Sequence, residues 1–208
     1  MFTGLGAFPL TPLRDGAVDE AAFARLVERL AAAGVDSICA LGSTGNYAYL
    51  DLAERKRVAR LAVRHAGGVP VIVGIGALSM RDVLELAEDA QRAGAGAVLL
   101  APMSYQRLAD EEVFGLYEAV TQALSVPLVV YDNPGTTHFE FSDALHGRIA
   151  RLPHVASIKS RPWLWTWQRP RPGSHAYARR CRRTWASASA AMRPRPPGCW
   201  RAAPPGTR

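Results

Sequence analysis

Short apolar segments alternate with amphipathic segments along the first 159 residues of the chain. The apolar runs predict strands at 5–9, 36–41, 69–75, 97–101, 128–131 and 155–158. Between them, apolar positions recur with helical spacing at 19–33, 51–66, 79–93, 110–124 and 142–151. Because the strands are apolar throughout, the pattern predicts a parallel sheet that is covered on both faces.

Capping residues agree with these boundaries. Asp51, Ser79 and Ser142 stand where helix N-caps are expected, and Gly34 and Gly94 follow the ends of predicted helices. The strand–helix unit therefore repeats about every 30 residues, which is the spacing of βα units.

A doubly wound sheet and a (β/α)₈ barrel both fit this alternation. A barrel places functional residues after nearly every strand, whereas a doubly wound sheet gathers them at one switch point. Polar residues follow four predicted strands, at 42–46, 104–105, 131–133 and 159. No glycine-rich dinucleotide fingerprint follows the first strand, and no phosphate-binding P-loop motif occurs. The pattern favours a barrel, of which residues 1–159 supply about six βα units.

Charge divides the chain into two segments. The 208 residues carry a net charge of +7. Residues 1–159 hold 14 basic and all 18 acidic residues, whereas 160–208 holds 11 arginines, no acid and all five tryptophans. The second segment contains a single Val, Ile, Leu or Phe residue, Leu164. It therefore cannot form a packed core, and its composition predicts disorder.

Three interpretations of the segment 160–208 remain open. Arginines interleaved with aromatics suit a nucleic-acid-binding arm, and the prolines suit a linker. The third is a reading-frame artefact, which the composition favours. With suitable codons, residues 184–192 read in a shifted frame give Val-Gly-Ile-Gly-Ile-Ser-Gly-Asp, a buried strand followed by a turn.

The sequence predicts a cytoplasmic protein. It has no apolar run of the roughly 20 residues that a membrane-spanning helix needs, and its start lacks the features of a signal peptide. Cys39, Cys181 and Cys199 are too scattered for a disulfide framework or a paired-cysteine zinc site.

Lys159 and Tyr131 are the first candidates for chemistry. Lys159 ends the sixth apolar strand, where an amine withdrawn from water loses its proton more readily and can attack a ketone. Tyr131 ends the preceding strand, and adjacent strands lie about 4.8 Å apart, so the two side chains can share a pocket. The alternative for Lys159 is a side chain that flanks the strand and reaches water. The alternative for Tyr131 is an aromatic residue of the core at a strand end.

The segment Gly42-Ser43-Thr44-Gly45-Asn46 joins the second strand to a helix. Its backbone N–H groups and two hydroxyls can hold a carboxylate near the helix N-terminus. The alternative is an ordinary turn.

These motifs resemble the dihydrodipicolinate synthase / N-acetylneuraminate lyase family of pyruvate-dependent aldolases, which are (β/α)₈ barrels. The resemblance rests on GAFPLTP, GSTGN, YDNPGTT and SIK, in that order, between about residues 4 and 159. The shifted-frame segment also resembles the family's next strand.

The resemblance implies that Lys159 forms a Schiff base with a 2-oxo acid, typically pyruvate, and that Tyr131 transfers protons. Ser43 is then part of a hydroxyl relay, and Thr44 holds the carboxylate with the backbone N–H groups around Gly42 and Gly45. A second relay tyrosine follows the fourth strand in the family. Tyr105 fits that role, or Ser104 if the alignment has no gap. The resemblance implies no metal or organic cofactor, and homotetramers are common among related enzymes.

The sequence departs from the family in three places. Residues 135–137 are Gly-Thr-Thr where synthases carry an arginine for the second substrate, and Asn46 replaces a common glutamate. The segment 160–208 stands where two further strands are expected. We therefore expect a lyase that joins or cleaves pyruvate and an aldehyde, with little activity and poor expression in this chain. The alternative function is nucleic-acid binding through the basic segment.

Overall fold

A computed structural model describes residues 4–160 and contains one six-stranded parallel sheet and one short hairpin. The strands are, in chain order, β1 (Gly6–Ala7), β2 (Leu13–Arg14), β3 (Ala17–Val18), β4 (Ser37–Ala40), β5 (Val71–Gly74), β6 (Ala97–Leu100), β7 (Leu128–Asp132) and β8 (Val155–Ser160). The sheet order is β1-β4-β5-β6-β7-β8, and β2 pairs with β3 in the hairpin. Each strand of the sheet therefore pairs with the next sheet strand along the chain.

Helices connect these strands and cover one face of the sheet. They are α1 (Glu20–Ala32), α2 (Leu52–His65), α3 (Met80–Arg92), α4 (Asp110–Gln122), α5 (Pro134–Thr137) and α6 (Asp143–Ile149). Two 3₁₀ turns, Ser43–Gly45 and Tyr47–Tyr49, lie between β4 and α2. Successive helices pack side by side around the outside, from α1 against α2 to α4 against α6.

The expected caps are confirmed. The Asp51 carboxylate accepts the Glu54 N–H, and the hydroxyls of Ser79 and Ser142 accept N–H groups three residues onward. Gly34 and Gly94 follow α1 and α3 with φ of +74° and +89°, a conformation that glycine adopts without strain.

Alternate residues of each central strand belong to two different cores. In β4, Ile38 and Ala40 pack under the helices, whereas Cys39 lies on the inner face. The inner cluster comprises Cys39, Ile72, Ala97, Leu99, Ala101, Val129 and Tyr131. Both faces of the sheet are therefore buried, as the apolar strands predict.

The sheet curls so that its two edges approach each other. The amine of Lys159, on the edge strand β8, lies 4.9 Å from the ring centre of Phe8, which follows the other edge strand, β1. The predicted barrel architecture is thus confirmed as a curled partial barrel. In the part of the chain that the structure describes, β1 and β8 each pair on one side only.

Three features differ from the prediction. The first strand is shorter than 5–9, because Pro9 has no N–H to donate to a strand ladder. The β2–β3 hairpin and the four-residue helix α5 were not expected. The predicted basic segment lies outside the described residues, except for Ser160. Between residues 4 and 160, no helix is long and apolar enough to cross a membrane.

Candidate active site

Three predicted site residues meet at the carboxyl ends of β4, β7 and β8. Tyr131 and Lys159 are directly paired in the register of β7 and β8, and the Lys159 amine lies 4.2 Å from the centre of the Tyr131 ring. The Ser43 and Tyr131 hydroxyl oxygens are 3.2 Å apart. An amine, a phenol and an alcohol therefore share one inner corner of the curled sheet.

The Tyr131 hydroxyl is held from two sides. The Asn133 side-chain amide donates a hydrogen bond to it at 2.8 Å, and Ser43 either donates or accepts on the other side. Tyr131 is only 6% exposed. Since Asn133 already donates to the phenol oxygen, the phenol proton can point toward Ser43 or toward a bound reactant.

Two aromatic rings surround the Lys159 amine. The rings of Tyr131 and Phe8 lie 4.2 Å and 4.9 Å from it, and no carboxylate in residues 4–160 forms an ion pair with it. Lys56, by contrast, pairs with Glu85. Ring faces attract a cation and also remove it from water. The half-buried Lys159 amine is thus aimed into the barrel interior instead of into a surface ion pair.

Left-handed residues bracket the predicted carboxylate-binding turn. Leu41 and Asn46 have φ of +59° and +54°, and the N–H groups of Gly45 and Asn46 are used inside the turn at 2.9 and 3.1 Å. The N–H groups of Ser43 and Thr44 begin the 3₁₀ turn and have no partner within it. These two groups can therefore donate to an anion beside Tyr131.

Gly42 and Gly45 allow this turn to approach its neighbours. A Cβ at Gly42 would lie 3.1 Å from the Phe8 ring, and one at Gly45 would lie 3.4 Å from the Pro9 carbonyl oxygen. Thr44 is exposed at the rim. The glycines thus shape the turn, while Thr44 faces the open end of the barrel.

Tyr105 does not join this group. It follows β6 and is 96% exposed, and the Ser104 hydroxyl donates to the Gln106 carbonyl within its own loop. Within residues 4–160 of a single copy, Tyr105, the expected second relay tyrosine, therefore does not approach Tyr131. The loop after β6 directs Tyr105 outward instead.

Three residues of the site were missed from the sequence. Phe8 forms a wall beside the amine, Asn133 holds Tyr131, and Tyr47 lines a narrow cavity together with Tyr131. Asn133 and Phe8 each lie within a motif quoted above, and their position just after a strand was the available signal. Tyr47 gave none, because a tyrosine after a turn is usually a surface or core residue.

Cys39 lies buried in the inner cluster, and we expect it to be chemically inert. Burial raises the pKa of the Cys39 thiol to about 12, although the nearby Lys159 charge opposes this shift. At pH 8, alkylation of Cys39 should be slower than that of an exposed thiol by about a thousandfold, since the thiolate reacts. Iodoacetamide labelling followed by peptide mass spectrometry measures this. Rapid labelling of the Cys39 peptide in the folded chain would contradict it, and labelling after denaturation is the control.

Among residues 4–160, no group of three His, Cys, Asp or Glu side chains is placed to hold a metal ion. The Lys159 amine can act as a nucleophile, and the hydroxyls of Tyr131 and Ser43 can act as proton donors.

Comparison with known proteins shows which family the chain belongs to. Residues 1–161 match the model of the dihydrodipicolinate synthetase family. The chain belongs to this family.

Members of the dihydrodipicolinate synthetase family resemble the chain over its first three-quarters. A 4-hydroxy-tetrahydrodipicolinate synthase from Phenylobacterium zucineum is 39% identical over 160 residues, which are 76% of this chain and 54% of that protein. The crystal structure of dihydrodipicolinate synthase from Agrobacterium tumefaciens gives a TM-score of 0.76 at 43% identity, covering 90% of this chain and 61% of that one.

A second similar structure is that of a chloride-inhibited dihydrodipicolinate synthase from Acinetobacter baumannii complexed with pyruvate. It gives a TM-score of 0.73 at 34% identity, covering 77% of this chain and 56% of that one. The chain thus spans about half the length of the family relatives it matches.

Proposed function

We propose that this chain carries the imine-forming site of a pyruvate-dependent carbon–carbon lyase. The observation that supports it is the juxtaposition of the Lys159 amine, 4.2 Å from the Tyr131 ring, with the Tyr131–Ser43 hydroxyl pair at 3.2 Å. The similarity to a synthase solved with pyruvate supports a 2-oxo acid as the first substrate.

The proposed reaction begins when the neutral Lys159 amine attacks the ketone carbon of pyruvate. Tyr131 donates its proton to the hydroxyl of the resulting carbinolamine, water leaves, and the nitrogen lone pair forms the C=N bond. The iminium then withdraws electrons from the adjacent methyl group, which gives a proton to the Tyr131 phenolate and becomes an enamine. The enamine carbon adds to an aldehyde, and Tyr131 donates that proton to the new alkoxide; cleavage runs these steps in reverse. Ser43 donates a hydrogen bond to the Tyr131 oxygen while that oxygen is anionic.

The pyruvate carboxylate is assigned to the turn after β4. The Ser43 and Thr44 N–H groups and the Thr44 hydroxyl would donate to it, with Gly42 and Gly45 letting the turn come close.

A second copy of the chain is the proposed protein partner. Tyr49, Leu78 and Tyr105 follow three neighbouring strands and are 86%, 68% and 96% exposed. Large apolar side chains exposed on adjacent loops are typical of an interface. In such an assembly, Tyr105 of one copy would reach the site of the other copy across the interface. The nucleic-acid alternative rests on residues outside the described part of the chain and gains no support from residues 4–160.

Borohydride trapping tests the proposal. The chain is incubated with labelled pyruvate, reduced with sodium borohydride, digested and mapped by mass spectrometry. We expect label on Lys159, at a small fraction of the rate of a full-length family enzyme assayed in parallel, because no strand within residues 4–160 covers the outer edge of β8. Lys56 is the other of the two lysines in the sequence and serves as an internal control. Label on Lys56, or none on either lysine after prolonged incubation, would overturn the assignment.

A further inference from the structure

Tyr47 and Tyr131 line the same narrow cavity inside the curled sheet. The cavity is lined by Leu41, Gly42, Tyr47, Gly74, Gly76, Leu99, Ala101 and Tyr131, and it is too narrow to admit a water molecule. Of these eight residues, only the two tyrosines have polar side chains. In such a narrow and largely apolar space, phenol dipoles and nearby charges interact more strongly than they do in bulk water.

Arg55 places a buried positive charge against Tyr47 and Gly74, two of the residues that line this cavity. It is 4% exposed, its guanidinium lies 5.2 Å from the centre of the Tyr47 ring, and it donates to the Gly74 carbonyl at 3.1 Å. Among residues 4–160, no carboxylate forms an ion pair with Arg55, and its Nε has no hydrogen-bond partner. The acid whose charge influences it is Asp82, in the first turn of α3.

A buried arginine without an adjacent acid is costly to maintain. Hydrogen bonding to one carbonyl and stacking on one ring compensate for part of that cost. The two contacts also fix Tyr47 and the end of β5 against each other. The residues that line the cavity beside Tyr131 are therefore held rigidly from the α2 side.

We propose that Tyr47, held by Arg55, is a positioning residue that stabilises the negative charge developing on Tyr131 during imine formation; this rests on the proposed function. When Tyr131 gives its proton to the carbinolamine hydroxyl, its oxygen becomes anionic while water leaves. The Tyr47 O–H dipole and the Arg55 charge favour that anion. No proton leaves Tyr47.

The environment of Tyr47 suits a phenol that stays protonated. Burial, chiefly, and the neighbouring Tyr131 raise the pKa of Tyr47, whereas the Arg55 charge opposes this. The other titratable groups near Tyr131 are Lys159 against its ring, Cys39 in the same inner cluster, and Tyr117 behind β7. Their charges are common to all the variants compared below.

The first test removes one hydroxyl at a time from the full chain. Tyr47→Phe keeps the ring on Arg55, and Tyr49→Phe makes the same change two residues away at an 86% exposed position. We expect Tyr47→Phe to slow borohydride-trapped labelling of Lys159 about tenfold at pH 7 and to move its pH profile toward higher pH. Tyr49→Phe should match the wild type. Equal rates and profiles for all three proteins would overturn the proposal.

A second measurement does not depend on catalysis. The ¹³Cζ resonance of Tyr131, identified by its loss in Tyr131→Phe, is titrated in ring-labelled protein. We expect its titration midpoint to rise by about half a pH unit in Tyr47→Phe, a threefold change in proton affinity. Arg55→Met should raise it further, and Arg55→Lys should restore part of the change. An unchanged midpoint in Tyr47→Phe overturns the proposal. A raised midpoint in Tyr47→Phe, together with no pyruvate label on the wild-type chain in the trapping experiment, overturns only the proposed function.

Discussion

Replacing Lys159 by methionine is expected to reduce pyruvate-dependent labelling of the chain to background, a loss of at least about a thousandfold. Methionine keeps much of the length and apolar surface of the lysine stem, so its packing beside Phe8 and Tyr131 should survive. The substitution removes only the amine that we propose as the nucleophile. Trapping with labelled pyruvate and borohydride, quantified per mole of protein, measures the effect.

Lys56→Met is the matched control for this substitution. Lys56 lies on α2 and pairs with Glu85, away from the inner face of the sheet. Removing a partly exposed ion pair costs at most about 1 kcal/mol, and labelling should stay at the wild-type level. Retention of label in Lys159→Met, or its loss in Lys56→Met, would show that the reactive amine is not Lys159.

Gly74→Ala is expected to destabilise the chain by about 3 kcal/mol, which corresponds to a fall in melting temperature of about 10 °C. Gly74 is the last residue of β5 and lies beside Leu41, the residue that follows the parallel strand β4. An added Cβ would overlap the carbonyl oxygen of Leu41 and lie 2.7 Å from its carbonyl carbon. Leu41 is buried and left-handed, so it has little room to move. The same shift would disturb the Gly74 carbonyl that accepts from Arg55.

Gly115→Ala provides the opposite control. Gly115 lies inside α4, and a Cβ there would meet nothing within 4 Å. The alanine should stabilise the helix by about 0.5–1 kcal/mol, because glycine loses more freedom when a helix forms. Thermal melts followed by circular dichroism compare the two variants with the wild type. A Gly74→Ala chain that melts at the wild-type temperature would contradict the close approach of β4 and β5.

Most of the fold follows from patterns that a single sequence contains. The strand 36–41 and the helix 79–93 were predicted within one or two residues of β4 and α3, because apolar periodicity and caps coincide there. Tyr131 and Lys159 could be placed together because both end strands that are neighbours in a barrel. Their pairing in the register of β7 and β8 is what the structure adds. Their chemical roles stay predictions.

Other features depend on contacts between distant segments. Asp15 and Gly16 form a tight turn with φ of +53° and +81°, but two-residue strands on either side leave too little pattern to recognise a hairpin. Tyr105 was assigned to the relay because the family resemblance places a second tyrosine after the fourth strand, but in the structure Tyr105 is 96% exposed. Tyr47 acquires its position from Arg55 and Gly74, which lie 8 and 27 residues further along the chain.

The sequential strand order also sets the order in which the site can assemble. Each sheet strand docks on the sheet strand made just before it, so the sheet can grow one unit at a time as the chain leaves the ribosome, with short loops to close at each step. The turn bearing Ser43 forms early, Tyr131 arrives with β7, and Lys159 arrives with β8. The proposed nucleophile, Lys159, is thus synthesised after Ser43 and Tyr131, and a half-made chain presents the alcohol and the phenol before it presents the amine.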